Sequence, residues 1–345
     1  MSAAPPSFES RNRRAFRLAL GVTVVFTLSQ IYQWPVALLA SAGAVALLQD
    51  AKAMPFWFGL RTILIAMASL AGGFLTALLL SGFPAVMVLT YGFLFILLFR
   101  FVLTTGEHLI IFVGLLVGCT VIPVLVLIWP ELALVATIGA MTSFFIAWLI
   151  STFAFAIIRP PADVPLAHPH SESELDVTQI SVTLGLILAT LLAVFLVFGL
   201  TDILVLIYST IFALSLTISG VRDSFLTYFI ANLVLAGLAT IVVYEILVMV
   251  PSLPMMSALV FLVIYVFAQQ TFGHSPMAAA WSSACFGFVL LLSGTLPKEG
   301  VIATDKVLDR VVQIGTGALY VAAVFAVVGF ISRVRAYSHA GGANG

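Results

Sequence analysis

The strongest constraint on this chain lies between Arg61 and Arg100, a stretch without a single Asp, Glu, Lys or Arg. It opens Met54-Pro-Phe-Trp-Phe-Gly-Leu-Arg61-Thr-Ile and continues as an apolar run to Leu80. A Ser81-Gly82-Phe83-Pro84 break follows, then a second apolar run that closes at Arg100. Helices of about 20 residues cross the roughly 30 Å of hydrocarbon in a bilayer. The runs are continuous, whereas a membrane barrel strand alternates with a period of two. In lipid a helix also satisfies its own backbone N–H and C=O groups, so the pattern predicts helices rather than strands.

The same pattern recurs along all 345 residues, of which 62% are hydrophobic and 8% charged. Soluble domains carry roughly 25% charged residues, so the chain reads as a polytopic membrane protein. Its formal net charge of +0 gives no reason to expect nucleic acid as a partner. Apolar runs predict spans at 15–32, 35–50, 56–80, 84–101, 107–128 and 131–158, and again at 180–199, 202–219, 224–249, 254–271, 277–293 and 309–331. The second span is short, so the 15–50 pair reads as a tight hairpin that crosses with little tilt or stops short.

Lys and Arg set the orientation. With a cytoplasmic N-terminus and twelve crossings, eleven basic residues fall inside and only Lys298, Lys306 and Arg310 outside. Both termini are therefore expected in the cytoplasm. The polar segment Arg159–Gln179 holds four prolines and four acids and reads as an exposed linker. The expected organisation is a tail at 1–14, a six-helix repeat at 15–158, a linker at 159–179, a second six-helix repeat at 180–335 and a tail at 336–345. His168 and His170 in the linker lack a third ligand nearby in sequence, and no metal is expected there. Cys119 and Cys285 sit in apolar runs and read as small buried hydrophobes.

Punctuation repeats between the halves. Pro84 matches Pro254 at an offset of 170; Arg100 then matches Gln270, and Arg61 falls at Ala231, beside Asn232. Six spans per half make the repeats parallel, related by an axis along the membrane normal. The fold expected is an all-α membrane protein of about twelve transmembrane helices in two parallel six-helix repeats.

Candidate site residues follow from charge placed where lipid disfavours it. Arg61 lies about 8 Å into its span, deep enough to be costly unless it snorkels, pairs or meets a wet cavity. Arg61 and Arg100 would form a cationic wall opposite the neutral Asn232 and Gln270, with Tyr91 among the aromatic wall residues. Such a cavity suits a small organic anion, held by bidentate hydrogen bonds from arginine. Glu245 is either a proton-coupling carboxylate or an interfacial acid. Asp202 reads as a helix cap and Glu107 as an acid favoured by the helix dipole beside His108. Gly72-Gly73 and Gly114-xxx-Gly118 would let helices approach closely. The chain has no Gly-x-x-x-x-Gly-Lys-Ser/Thr loop, no His-Glu-x-x-His and no Gly-x-Ser-x-Gly, so neither an ATPase nor another enzyme is expected and no cofactor is called for.

Several motifs carry a resemblance. Arg17-Leu-Ala-Leu-Gly21 with Trp34-Pro35, Gly59-Leu-Arg61-Thr62, and the doubled six-span layout resemble the fusaric-acid-resistance superfamily of inner-membrane transporters, which includes aromatic-acid exporters. Tyr91-Gly-Phe-Leu-Phe, Arg100, Gly106-Glu-His, Gly114-Leu-Leu and Ile122-Pro123 are similar to a short bacterial branch of unknown function. The resemblance spans nearly all of 11–335. It implies efflux of small aromatic acids from the bacterial inner membrane, with a periplasmic adaptor of the membrane-fusion type and Arg61 at the family's cationic position. The larger exporters also carry a sizeable cytoplasmic domain, of which only the 159–179 linker has a counterpart here. A passive anion channel and a non-transporting scaffold for an adaptor are the rival readings. Self-association is left open.

Overall fold

The computed structural model describes residues 8–50, 53–105, 109–159, 174–198, 232–273 and 277–295. They form α1 (Phe8–Tyr32), α2 (Leu38–Gln49), α3 (Phe56–Leu80), α4 (Pro84–Thr105), α5 (Leu109–Ile128), α6 (Pro130–Ile157) and α7 (Glu174–Phe198). A π-helical turn (Asn232–Ala236) leads into α8 (Gly237–Met249), followed by α9 (Leu253–Thr271) and α10 (Ala278–Thr295). No strand occurs among the described residues. Six of the described helices, α1, α3, α4, α6, α7 and α9, are long and apolar enough to cross a membrane. The fold is that of a helical membrane protein. The expected spans at 202–219 and 309–331 lie outside the described residues, as do Asp202, Glu107, His108, His168 and His170.

Proline marks several helix starts, since a fixed φ suits the first turn and the missing N–H would be unpaired there anyway. Pro84 and Pro130 begin α4 and α6. Pro254 is second in α9, whose first turn is capped by Ser252 Oγ accepting the Met255 N–H. Three starts differ from expectation. α2 begins at Leu38, not at Pro35, which lies in the connector against Gly139 of α6. α1 begins at Phe8, not 15, because Glu9 and Arg13 pair one turn apart and carry the helix into the polar tail. The described part of α7 reaches back to Glu174, not 180, so the end of the expected linker is helical.

Packing is close where side chains are small. α3 crosses α5 at Gly73 and Gly118, and a Cβ on Gly73 would lie 2.3 Å from the Gly118 carbonyl oxygen. Gly72 faces open space. α1 packs along α9 and α4 along α7, both antiparallel, as the contacts Asn12–Gln269, Thr27–Ser257, Gly92–Ala189 and Gly185–Ile96 fix. α2 runs parallel to α6, with Pro35 against Gly139 and Gly43 against Ala147.

The α1–α2 connector is seated on α6. Gln33 and Val36 adopt φ of 45° and 58°. Trp34 Nε1–H donates to Ser143 Oγ at 3.2 Å, and Ser143 Oγ donates to the Val36 carbonyl at 3.2 Å. α2 has 12 residues, about 18 Å, and is too short to cross hydrocarbon alone.

Gly73→Val overpacks the α3–α5 crossing and is expected to cost roughly 1–3 kcal/mol, read as a lower Tm in detergent. Gly72→Ala, next door, leaves the Tm unchanged or slightly raised.

Candidate functional site

Arg17 is the one charged residue in the buried core among the described residues, with no exposed surface. It stands nine residues along α1, about 14 Å from the helix start. A buried cation is costly unless its surroundings replace water, and three groups do so in part. Phe155 of α6 lies under the guanidinium, whose central carbon is 3.8 Å from the ring centroid. Nη2–H donates to the Asp50 carbonyl at 3.3 Å. That carbonyl caps α2, so the cation also meets the negative end of a helix dipole. The field of the Asp50 carboxylate reaches Arg14 and Arg17 as well. Arg17 Nε and Nη1 remain buried without a hydrogen-bond partner. A buried donor left unpaired costs roughly 1–3 kcal/mol, so the fold holds this guanidinium only partly satisfied.

Arg14, one turn before Arg17, repeats the arrangement at a second helix end. Its guanidinium lies 4.1 Å above the ring of Phe272, the residue that caps α9. Asn12 Oδ1 accepts from Gln269 Nε2 at 2.7 Å and ties the same seam. Ser282 of α10 donates to Gln49 Oε1 at 2.9 Å, beside Asp50. One end of the bundle therefore gathers the start of α1, the ends of α2, α6 and α9, and the start of α10. Two guanidiniums on aromatic floors, with donors to spare, can hold a carboxylate or another planar anion beside an apolar ring.

The residues singled out by sequence lie elsewhere. Arg61, Arg100, Gln270 and Glu245 are exposed on the outside of their helices. The structure does not gather them into the buried core. Asn232 opens the π-helical turn before α8. Tyr91 is buried, but its hydroxyl donates to the Gly73 carbonyl at 2.7 Å and ties α4 to α3 at the α3–α5 crossing. Gln269 bonds Asn12 of α1, while Gln270, one residue and 100° round the helix, is exposed.

Arg17 carried a weaker signal than Arg61, since Ala15-Phe16-Arg17-Leu18-Ala19 sets a cation amid apolar residues but Arg11, Arg13 and Arg14 closely precede it. Starting the span at 15 places Arg17 at the interface. The described helix reaches back at least to Phe8, two turns before the expected start. Comparison with protein-family models, with curated proteins and with solved structures found no match.

Arg17→Met removes a partly satisfied buried cation at similar volume and is expected to keep or raise the Tm. Phe155→Ala leaves a cavity and lowers stability by roughly 3–5 kcal/mol. Thermal unfolding in detergent, followed by circular dichroism, reads both. A large loss of Tm in Arg17→Met would make the arginine a structural group rather than a binding one.

Proposed function

We propose that this protein is a secondary exporter of small organic, mainly aromatic, anions in the bacterial inner membrane. Arg17, assisted by Arg14, makes the anion contact. The observation that carries this reading is the buried Arg17 guanidinium, whose Nε–H and Nη1–H donors have no partner inside a membrane helix. Ionisable groups held inside membrane helices mark ligand and ion pathways more often than structural sites, because their cost must be offset by a role. Arg17 takes the carboxylate through its unpartnered donors; Phe155 and Phe272 supply apolar surface for a ring. The sequence offers no phosphate-binding loop of its own, so the driving force is an ion gradient.

The twelve-span, two-repeat architecture belongs to the same proposal, and the helix seams support it. At an offset of 170, α1 corresponds to α7 and α4 to α9. The packing is then reciprocal, α1 on α9 and α7 on α4. The registers agree too. Carried across the 170 offset, Gly185 back to Ala15 and Ile96 forward to Val266, the Gly185–Ile96 contact falls one turn along both helices from the Asn12–Gln269 pair. Two halves packed this way can rock against each other about a site near their junction. The resemblance to the fusaric-acid-resistance superfamily fits this reading, with cytoplasmic termini and a periplasmic adaptor as its further elements.

Retention of labelled aromatic carboxylates, benzoate among them, tests the proposal in cells. The comparison is deletion, wild type, Arg17→Gln and Arg61→Gln at matched protein level in the membrane. Wild type and Arg61→Gln are expected to lower retention, whereas Arg17→Gln behaves as the deletion, a loss of roughly tenfold or more in efflux rate for a bidentate contact worth about 1.5–3 kcal/mol. Loss in Arg61→Gln alone moves the anion contact to α3. No change in retention of any acid overturns the exporter reading. An uncoupler abolishes uphill export but leaves a passive channel conducting.

A further inference from the structure

Asp50 stands where a helix by itself disfavours an acid. It caps the C-terminal end of α2 with φ of −61° and ψ of 147°, beside the negative end of that helix's dipole. Its surroundings supply the opposite charge. The Asp50 carbonyl accepts from Arg17 Nη2–H at 3.3 Å. Among the described residues, its carboxylate is the acid whose field reaches both Arg14 and Arg17, and those two guanidiniums also repel each other. The other acid on α1 and α2, Glu9, pairs with Arg13. α9 and α10 carry no acid, and the acid of α6, Glu131, lies at its far end.

Burial separates the partners. Arg17 is fully covered, whereas Asp50 is exposed. The acid therefore marks the open edge of the arginine pair. A ligand that takes the unpartnered Nε–H of Arg14, or the Nε–H and Nη1–H of Arg17, enters the field of the Asp50 carboxylate.

A fixed carboxylate at such an edge acts on ligands according to their charge. Its repulsion grows in proportion to the charge a ligand brings. The cost of taking a ligand out of water grows faster, toward the square of that charge. Two guanidiniums on aromatic floors offset the desolvation of one carboxylate beside a ring. A second carboxylate on the same ligand doubles the attraction and the repulsion alike, while desolvation rises up to about fourfold.

We propose that Asp50 is the charge filter of the anion site: its carboxylate, held beside Arg17 at the end of α2, opposes each negative charge of a ligand, so aromatic monoanions bind in preference to dianions. The inference rests on the anion-exporter reading above and names the charge of the ligand that reading leaves open. Asp50 is a specificity-determining residue here and needs no contact with the ligand.

Binding to the full-length protein in lipid nanodiscs, followed by titration calorimetry at mildly alkaline pH, tests the filter. The probes share one ring and differ in charge: neutral benzamide, monoanionic benzoate and dianionic phthalate. The proteins are wild type, Asp50→Asn, Asp50→Glu and Arg17→Gln. Asparagine keeps the shape of the side chain and the backbone carbonyl that Arg17 uses. Asp50→Asn is expected to tighten benzoate roughly fivefold and phthalate by roughly the square of that factor, about 25-fold, with benzamide unchanged. Asp50→Glu keeps the preference for benzoate. Asp50→Ser serves as the neutral variant if Asp50→Asn does not fold.

No change in Asp50→Asn, an equal change for all three probes, or a gain for phthalate no larger than that for benzoate overturns the filter. If that happens while Arg17→Gln abolishes benzoate binding, Asp50 is a structural counter-charge and the exporter reading stands. If Arg17→Gln binds benzoate as wild type does, or neither wild type nor Asp50→Asn binds it, both fall.

Discussion

Hydrocarbon offers no hydrogen-bond partner, and that one constraint organises the molecule. It requires each backbone N–H and C=O to be satisfied within its own segment, hence helices throughout the described residues. It also sets the standard against which polar side chains are judged. Thr137, Ser181 and Thr240 return their hydroxyls to their own helices. Tyr91 reaches the Gly73 carbonyl. Against that background Arg17 stands out, because its environment compensates the charge with a ring and a helix end yet leaves two donors bare.

Helix association in lipid lacks the hydrophobic drive available in water and depends on close contact and a few polar ties. Both devices appear here. The α3–α5 and α4–α7 crossings use Gly73, Gly118, Gly185 and Gly92 to bring backbones together. The α1–α9 seam instead uses polar and aromatic pairs, Asn12–Gln269, Thr27–Ser257 and Phe16–Phe261. Two seams that occupy matching places in the proposed repeats are therefore built from different chemistry, and the polar one carries Arg14 and Arg17.

Much of the fold was legible before any coordinates. The bounds of α3 are those read from the apolar run, and α6 is within one residue at each end, whereas Pro35, expected to open the second span, lies in the connector before α2. The short second span is a 12-residue helix. Where the reading slipped, the cause was local: α1 and α7 continue into polar sequence, in α1 with a Glu9–Arg13 pair one turn apart. Hydropathy detects lipid contact and has no term for that extension. The slip at α1 did not decide the burial of Arg17, which comes from the helices packed around it.

The sequence by itself determined the class of solvent, the helical state and the approximate limits of most described helices. Those properties are local, since a membrane helix closes its own hydrogen bonds and needs only enough apolar length. Tertiary structure decided which cation is inside. Arg61 and Arg17 both stand near the head of an apolar run, and hydropathy does not tell which of them neighbouring helices cover. Arg17 is buried because α2, α6 and α9 end around it, bringing Asp50, Phe155 and the α9 seam from distant parts of the chain. Arg61 is exposed because no described helix covers that side of α3. Burial is a property of the partners a helix meets, and those partners are chosen by small residues and seam contacts far away in sequence.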